Sequence, residues 1–174
     1  VASENPFIEL QFYPPENVNL NLHLIDYVNE NVGNNEPYAS VRLDDDDALS
    51  IEWLKETTKF LQPCFSNMML SLSNGLAVLV NKEGGIEKIS HYKYRLLGAG
   101  LTYIGIKANS IRSIYQCGSH TEVDDKLPTI IYSKGNFFIR TFSGFNDSGK
   151  DFPDKASVEN IDFFSVLQPF GLSN

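Results

Sequence analysis

The chain predicts an α/β fold in which a mixed central sheet is flanked by helices, and three observations lead there. Two stretches, Leu20 to Val32 and Ala48 to Leu61, carry apolar residues near helical spacing. Short runs rich in β-branched and aromatic residues lie between and after them. Helix and strand patterns alternate in the front half, whereas strands follow one another in the rear half, so parallel and antiparallel pairings are both expected. With 174 residues, 42% of them hydrophobic, the chain can bury one substantial core, which sets the expectation of one domain over residues 1–174.

The elements follow in order. Pro6, Pro14 and Pro15 surround an apolar alternation from Phe7 to Phe12, the pattern of a short edge strand. Leu20, Leu22, Leu24, Ile25, Val28 and Val32 mark a helix, with Asn19 as its cap and Gly33 as its stop. Gly33 to Pro37 reads as a turn, and Tyr38 to Leu43 as a buried strand. The second helix starts near Ser50 or is capped by Asp47, and Pro63 closes it. Asn74-Gly75 between Asn67–Leu72 and Leu76–Asn81 predicts a hairpin of two antiparallel strands. Gly84 to Lys88 reads as a loop, His91 to Leu97 as a short helix or irregular stretch, Leu101 to Ile106 as a strand, and Ser110 to Tyr115 as a helical turn. Pro128–Tyr132 and Phe137–Phe142 are strands by composition, and Ala156 to Leu167 is a closing helix.

Charge narrows the function. The net charge of -8 argues against nucleic-acid binding, which needs clustered Lys and Arg, so any phosphate must be held by a metal or by local donors. Cys64 and Cys117 lack metal-ligand spacing and read as a buried pair, a disulfide or two free thiols, the last being favoured. No apolar run reaches membrane-spanning length and no secretory signal opens the chain, which predicts a soluble, cytoplasmic protein and leaves peripheral membrane association open.

The densest charge is Asp44 to Asp47, placed between the strand and the second helix. Four adjacent carboxylates repel one another and therefore raise their pKa values, stay hydrated, or recruit a hard cation such as Mg²⁺ or Mn²⁺. On an extended backbone Asp44 and Asp46 point to one side, Asp45 and Asp47 to the other. The sequence disfavours an EF-hand loop, because its sixth and twelfth places, counted from Asp44, hold Leu49 and Lys55. A solvated acidic turn is the plain alternative.

The segment YASVRLDDDDALSIEWL, Tyr38 to Leu54, is similar to the R-L-D-x-D-D-A signature of rhamnosyltransferase-like bacterial glycosyltransferases. That group looks like the nucleotide-sugar-dependent GT-A class, and Asn67–Val80, Cys117–Val123 and Phe137–Gly149 are compatible with it. The resemblance implies a GT-A-like fold, a nucleotide-sugar donor, a glycan acceptor and a role in surface-polysaccharide assembly. It also implies metal ligation by Asp44 and Asp46, with His120 as a further ligand. Arg42, Asp44 and Asp45 become candidates for holding the donor, Arg42 being either a salt-bridge partner of the carboxylates or a phosphate contact. Candidates for the general base or another catalytic carboxylate are Asp47, Asp124, Asp125 and Asp147. Only 43 residues precede Asp44, fewer than a complete donor-binding half needs, which implies a fragment, a minimal version, or a related fold with another job.

Trp53 is expected to pack its helix against the sheet, with sugar stacking as the lesser alternative, His23 to be a packing or surface residue, and Arg140 and Asn146 to serve strand and turn before any phosphate or acceptor contact. Two rival readings remain. A β-rich carbohydrate- or protein-binding module, with an acidic or Ca²⁺-binding loop, expects the tetrad to join two strands, whereas the transferase expects a strand before it and a helix after it. A metal-dependent hydrolase would need additional carboxylates or histidines converging on the tetrad, and only three histidines, His23, His91 and His120, weaken that reading.

Overall fold

The computed structural model describes residues 9, 11, 13, 19–108, 110–143, 152–153 and 163–172. Helix α1 (Leu20–Asn31) forms where the spacing predicts, and Asn19 Oδ1 accepts from Leu22 N at 3.3 Å to cap it. Strand β1 (Pro37–Val41) leads to the acidic run, and a short strand β2 (Asp47–Leu49) follows. Helix α2 (Ile51–Thr58) starts one residue later, with Ser50 Oγ accepting from Trp53 N at 3.1 Å. Strands β3 (Met68–Leu72), β4 (Asn74–Val80), β5 (Ile86–Lys93), β6 (Thr102–Ile106), β7 (Thr129–Tyr132) and β8 (Phe138–Phe142) precede α3 (Phe163–Leu167).

The fold is α/β, with two mixed four-stranded sheets in place of the expected single central one. The first has the order β1-β6-β3-β7 and the second β2-β8-β4-β5. In the first, β6 is antiparallel to β1 and β3, while β7 is parallel to β3. In the second, β8 is antiparallel to β2 and parallel to β4, and β5 closes an antiparallel edge. The chain crosses from the first sheet to the second three times: β1 to β2, β3 to β4 through Ser73, and β7 to β8. The last two crossings are tied together, since Ser73 N donates to Tyr132 O at 2.9 Å and Phe137 N to Asn74 O at 2.9 Å, and the end of β2 joins them through Ser50 N to Phe137 O at 2.9 Å.

Asn74-Gly75 is therefore no hairpin turn. Glycine is required there because a Cβ would overlap the carbonyl oxygen and ring of Phe138, so the residue admits the close approach of β8. The hairpin lies four residues beyond β4's midpoint instead, where Asn81 Oδ1 accepts from Gly85 N at 2.7 Å and from Glu83 N at 3.1 Å. The stretch expected as a loop and a short helix, Gly84 to Leu97, consequently holds β5, an edge strand whose Glu87, His91 and Lys93 face solvent. Helix α2 ends at Thr58, and Pro63 opens a separate 3-10 turn (Pro63–Phe65). The helical turn near Ser110 is confined to a 3-10 turn at Ile114–Gln116. Of the predicted edge strand only Glu9 and Gln11, and of the closing helix only its end from Phe163, fall within the described residues.

Trp53 is buried, as expected, among Leu70, Leu72, Ile104 and Phe137, and so pins α2 to the first sheet. One face of the second sheet packs Leu76, Val78, Ile89 and Ile139 against Leu167 of α3. Cys64 is exposed, Cys117 is buried, and both are free thiols. No helix among the described residues is long and apolar enough to cross a membrane.

Candidate functional site

The acidic run occupies the first of the three crossings. Beyond β1, Arg42 extends the ladder by one pair: its N donates to Leu101 O at 3.0 Å, and Gly100 N donates to its carbonyl at 2.8 Å. The backbone then reverses, with Asp47 N donating to Asp44 O at 3.2 Å. The extended-chain alternation of Asp44 and Asp46 against Asp45 and Asp47 does not hold, because the chain must change sheets within this turn. Asp45 and Asp46 are exposed at its tip, while Asp44 and Asp47 are half-buried at its two ends.

Arg42 grips Asp44 as a fork, Nε to Oδ1 at 3.0 Å and Nη2 to Oδ2 at 3.2 Å. That pairing raises the pKa of the guanidinium. Gly98 lies beside the pair, where a Cβ would be in ordinary contact at 3.4 Å from Arg42 Nε and 3.5 Å from Asp44 Oδ2. The remaining nitrogen, Nη1, sits 3.5 Å from His120 Nδ1, which brings a residue distant in sequence to the turn.

Asp47 has a different environment. It pairs in register with Arg140 on β8. Burial first, then the charges of Asp46 and Asp44, push its carboxyl up to about 7 against the opposing pull of Arg140 and Arg42. The Arg140 guanidinium lies 5.4 Å from the centroid of the Phe142 ring and also interacts with Tyr92, whose hydroxyl pKa is raised by burial. Sequence reading gave Arg140 a strand-face role first and a phosphate or acceptor contact second, not an ion-pair partner for the acidic run. Its partnership with Asp47 depends on the β2–β8 register, which no local pattern encodes.

The other candidate carboxylates lie elsewhere. Asp124 belongs to a 3-10 turn, His120–Asp125, and is engaged by Arg95, while Asp125 is exposed. Asp147 and Asn146 lie outside the described residues. His23 stacks on Tyr13 with ring centroids 4.0 Å apart, and His91 is exposed on β5. Among the described residues no group of three or more His, Cys, Asp or Glu side chains is assembled around a metal position.

Over residues 1–155, which include Arg42, the acidic turn, His120 and Arg140, the sequence matches a family described as "Putative rhamnosyl transferase". The chain belongs to this family. No curated protein and no solved structure gives a match. Membership points to a glycosyltransferase, and such an enzyme uses a sugar donor and an acceptor.

Proposed function

We propose that the protein is a GT-A-like glycosyltransferase that moves a sugar from a nucleotide-sugar donor to a glycan hydroxyl in bacterial surface-polysaccharide assembly, with Mg²⁺ or Mn²⁺ held at the acidic turn. The observation that carries this reading is the turn itself, in a chain of this family. It offers Asp46 to solvent beside Asp44, and it fixes Asp44 with Arg42 at a junction of two sheets.

The residues fit the ion in a specific sense. Mg²⁺ commonly takes one or two carboxylates from protein and completes its shell with water and substrate phosphates, so a preassembled three-ligand cage is not needed. Asp44 and Asp46 would hold it, with His120 near enough to Arg42 to join the same neighbourhood. When bound, the ion offsets charge developing on the departing diphosphate. Arg42 keeps Asp44 from rotating away, and Arg140 balances Asp47. Asp47 is the general-base candidate that lies in the turn, whereas Asp124 is already engaged by Arg95.

The binding-module reading expects the tetrad to join two strands, which it does. β2 has only three residues and the capped helix α2 begins at Ile51, so the helix that the transferase reading expected to leave Asp47 comes only after a short strand and Ser50. The family match favours the enzyme. Titration of Mn²⁺ with a panel of nucleotide sugars tests the reading on wild type and Asp46→Ala. Metal-dependent nucleotide binding is expected in the wild type and its loss in the variant; equal binding by both would reject the assignment.

A further inference from the structure

One face of the second sheet runs from the acidic turn to the outer strand β5, and the register fixes which residues share it. Asp47 on β2 faces Arg140 on β8, Arg140 faces Ala77 on β4, and Ala77 faces Ser90 on β5. In the next row Tyr92 faces Gly75, whose missing side chain lets the Phe138 ring lie against it. Gly75 and Ala77 keep the middle of this face low, and Tyr92 reaches across it. Its ring meets Phe138 edge-on at 6.2 Å and Phe142 at 5.9 Å, and it interacts with the Arg140 guanidinium.

Tyr94, two residues on, holds its ring within 11° of parallel to Tyr92, with the centroids 6.1 Å apart. Both tyrosines are half-buried, packed on Leu97, Ala99 and Phe138 from one side and open to solvent on the other. Toward Lys88 the same face is covered by Phe152 and Pro153, with Ser90 Oγ donating to Pro153 O at 3.4 Å. The open strip is therefore two nearly parallel rings, then a guanidinium, then a carboxylate of the acidic turn. Its ends are three strand spacings apart, roughly 14 Å, which is longer than one sugar ring.

That order of groups suits a carbohydrate. A sugar ring offers an apolar C–H face, which packs on an aromatic ring, and a rim of hydroxyls, which accept from an arginine and donate to a carboxylate. A purely apolar ligand would leave Arg140 and Asp47 no group to pair with, and an anionic one would be repelled by Asp46 and Asp47. We infer that this strip binds the acceptor glycan, one sugar ring lying on Tyr92 and Tyr94 and a hydroxyl of the following unit reaching Arg140 and Asp47. The role as acceptor site rests on the transferase function proposed above; the glycan-binding strip itself does not.

Saturation-transfer NMR tests it in chelator, without nucleotide, using the methyl glycosides of rhamnose, glucose, galactose and N-acetylglucosamine together with lactose and cellobiose. At least one probe is expected to bind the wild type, with saturation strongest on the ring C–H protons. Tyr94→Ala should weaken that binding about fivefold or more, and Tyr94→Phe, which keeps the ring, should restore it to within about twofold. A thermal melt shows that Tyr94→Ala folds. Binding of no probe by the wild type, or equal binding by Tyr94→Ala, overturns the strip. Displacement of the bound probe by UDP, GDP or dTDP with Mn²⁺ would place the donor there and overturn the acceptor assignment. Ring-dependent glycan binding in a protein that takes up no nucleotide with Mn²⁺ keeps the strip and removes its acceptor role.

Discussion

Asp47→Asn should stabilise the metal-free protein at alkaline pH. The carboxyl of Asp47 is pushed from 3.8 to about 7, chiefly by burial and then by Asp46 and Asp44. Because the folded state holds this proton more tightly than the unfolded state does, the stabilising effect is fully present below 3.8 and is lost as pH rises through about 7. Taken whole, that shift corresponds to roughly 4 kcal/mol, but solvent reaches the half-buried carboxyl, and about 1–2 kcal/mol is the defensible expectation. Asparagine keeps the shape and cannot ionise, so its advantage should grow across this window.

The assay is a pair of thermal melts in chelator at about pH 5 and about pH 8. The gap between variant and wild type should widen by roughly 3–6 °C toward alkaline pH. Saturating Mn²⁺ should narrow the gap, since a cation at the turn favours ionised Asp47. A gap that stays constant with pH would show that Asp47 is ordinarily hydrated, and the burial argument would fail.

Three further outcomes follow from the same geometry. Ser50→Ala removes the hydroxyl that accepts from Trp53 N and should cost about 1 kcal/mol, read as a lower melting temperature followed by the fluorescence of the single tryptophan; an unchanged melt would show that the cap does not hold α2. Gly75→Ala forces a methyl into Phe138 and should cost about 1–3 kcal/mol by urea unfolding, whereas a neutral result would return this glycine to an open turn. Arg42→Lys keeps the charge but cannot fork onto Asp44, so Mn²⁺ affinity should fall severalfold and the His120 imidazole NMR signal should shift; identical values would show that the fork does not position the turn.

Local patterns in this chain were readable and long-range pairings were not. Asn19 and Ser50 announce helix starts because a cap acts within three residues, and both act as caps. The composition of β6, β7 and β8 likewise marks them as strands. Asn74-Gly75 misled because glycine serves both a positive φ and a close approach, and only the position of Phe138 decides between them. The polar β5 was hidden for a related reason: an edge strand buries too little to show a clean alternation. At the candidate site, the Arg42–Asp44 pair lies two residues apart and was foreseeable. The approach of His120 and Arg140 spans about half the chain or more and needed the fold.

The two-sheet arrangement explains how four consecutive aspartates fit one fold. In a strand passing between a core and solvent, two of the four would be driven inward, and an unpaired buried carboxylate costs several kcal/mol or gives up its charge. A tight reversal between sheets gives each a separate environment. Asp44 is neutralised by the arginine that ends β1, Asp45 and Asp46 stay in water, and Asp47 enters β2 opposite Arg140 with its affinity for a proton raised. Electrostatic repulsion is thereby confined to the tip of the turn, where a divalent ion can reach it. The two later crossings are hydrogen-bonded to each other and to Ser50 just past β2, while Arg42 pairs with Leu101 and Gly100 before the turn, so the carboxylates are flanked on both sides by hydrogen-bonded backbone.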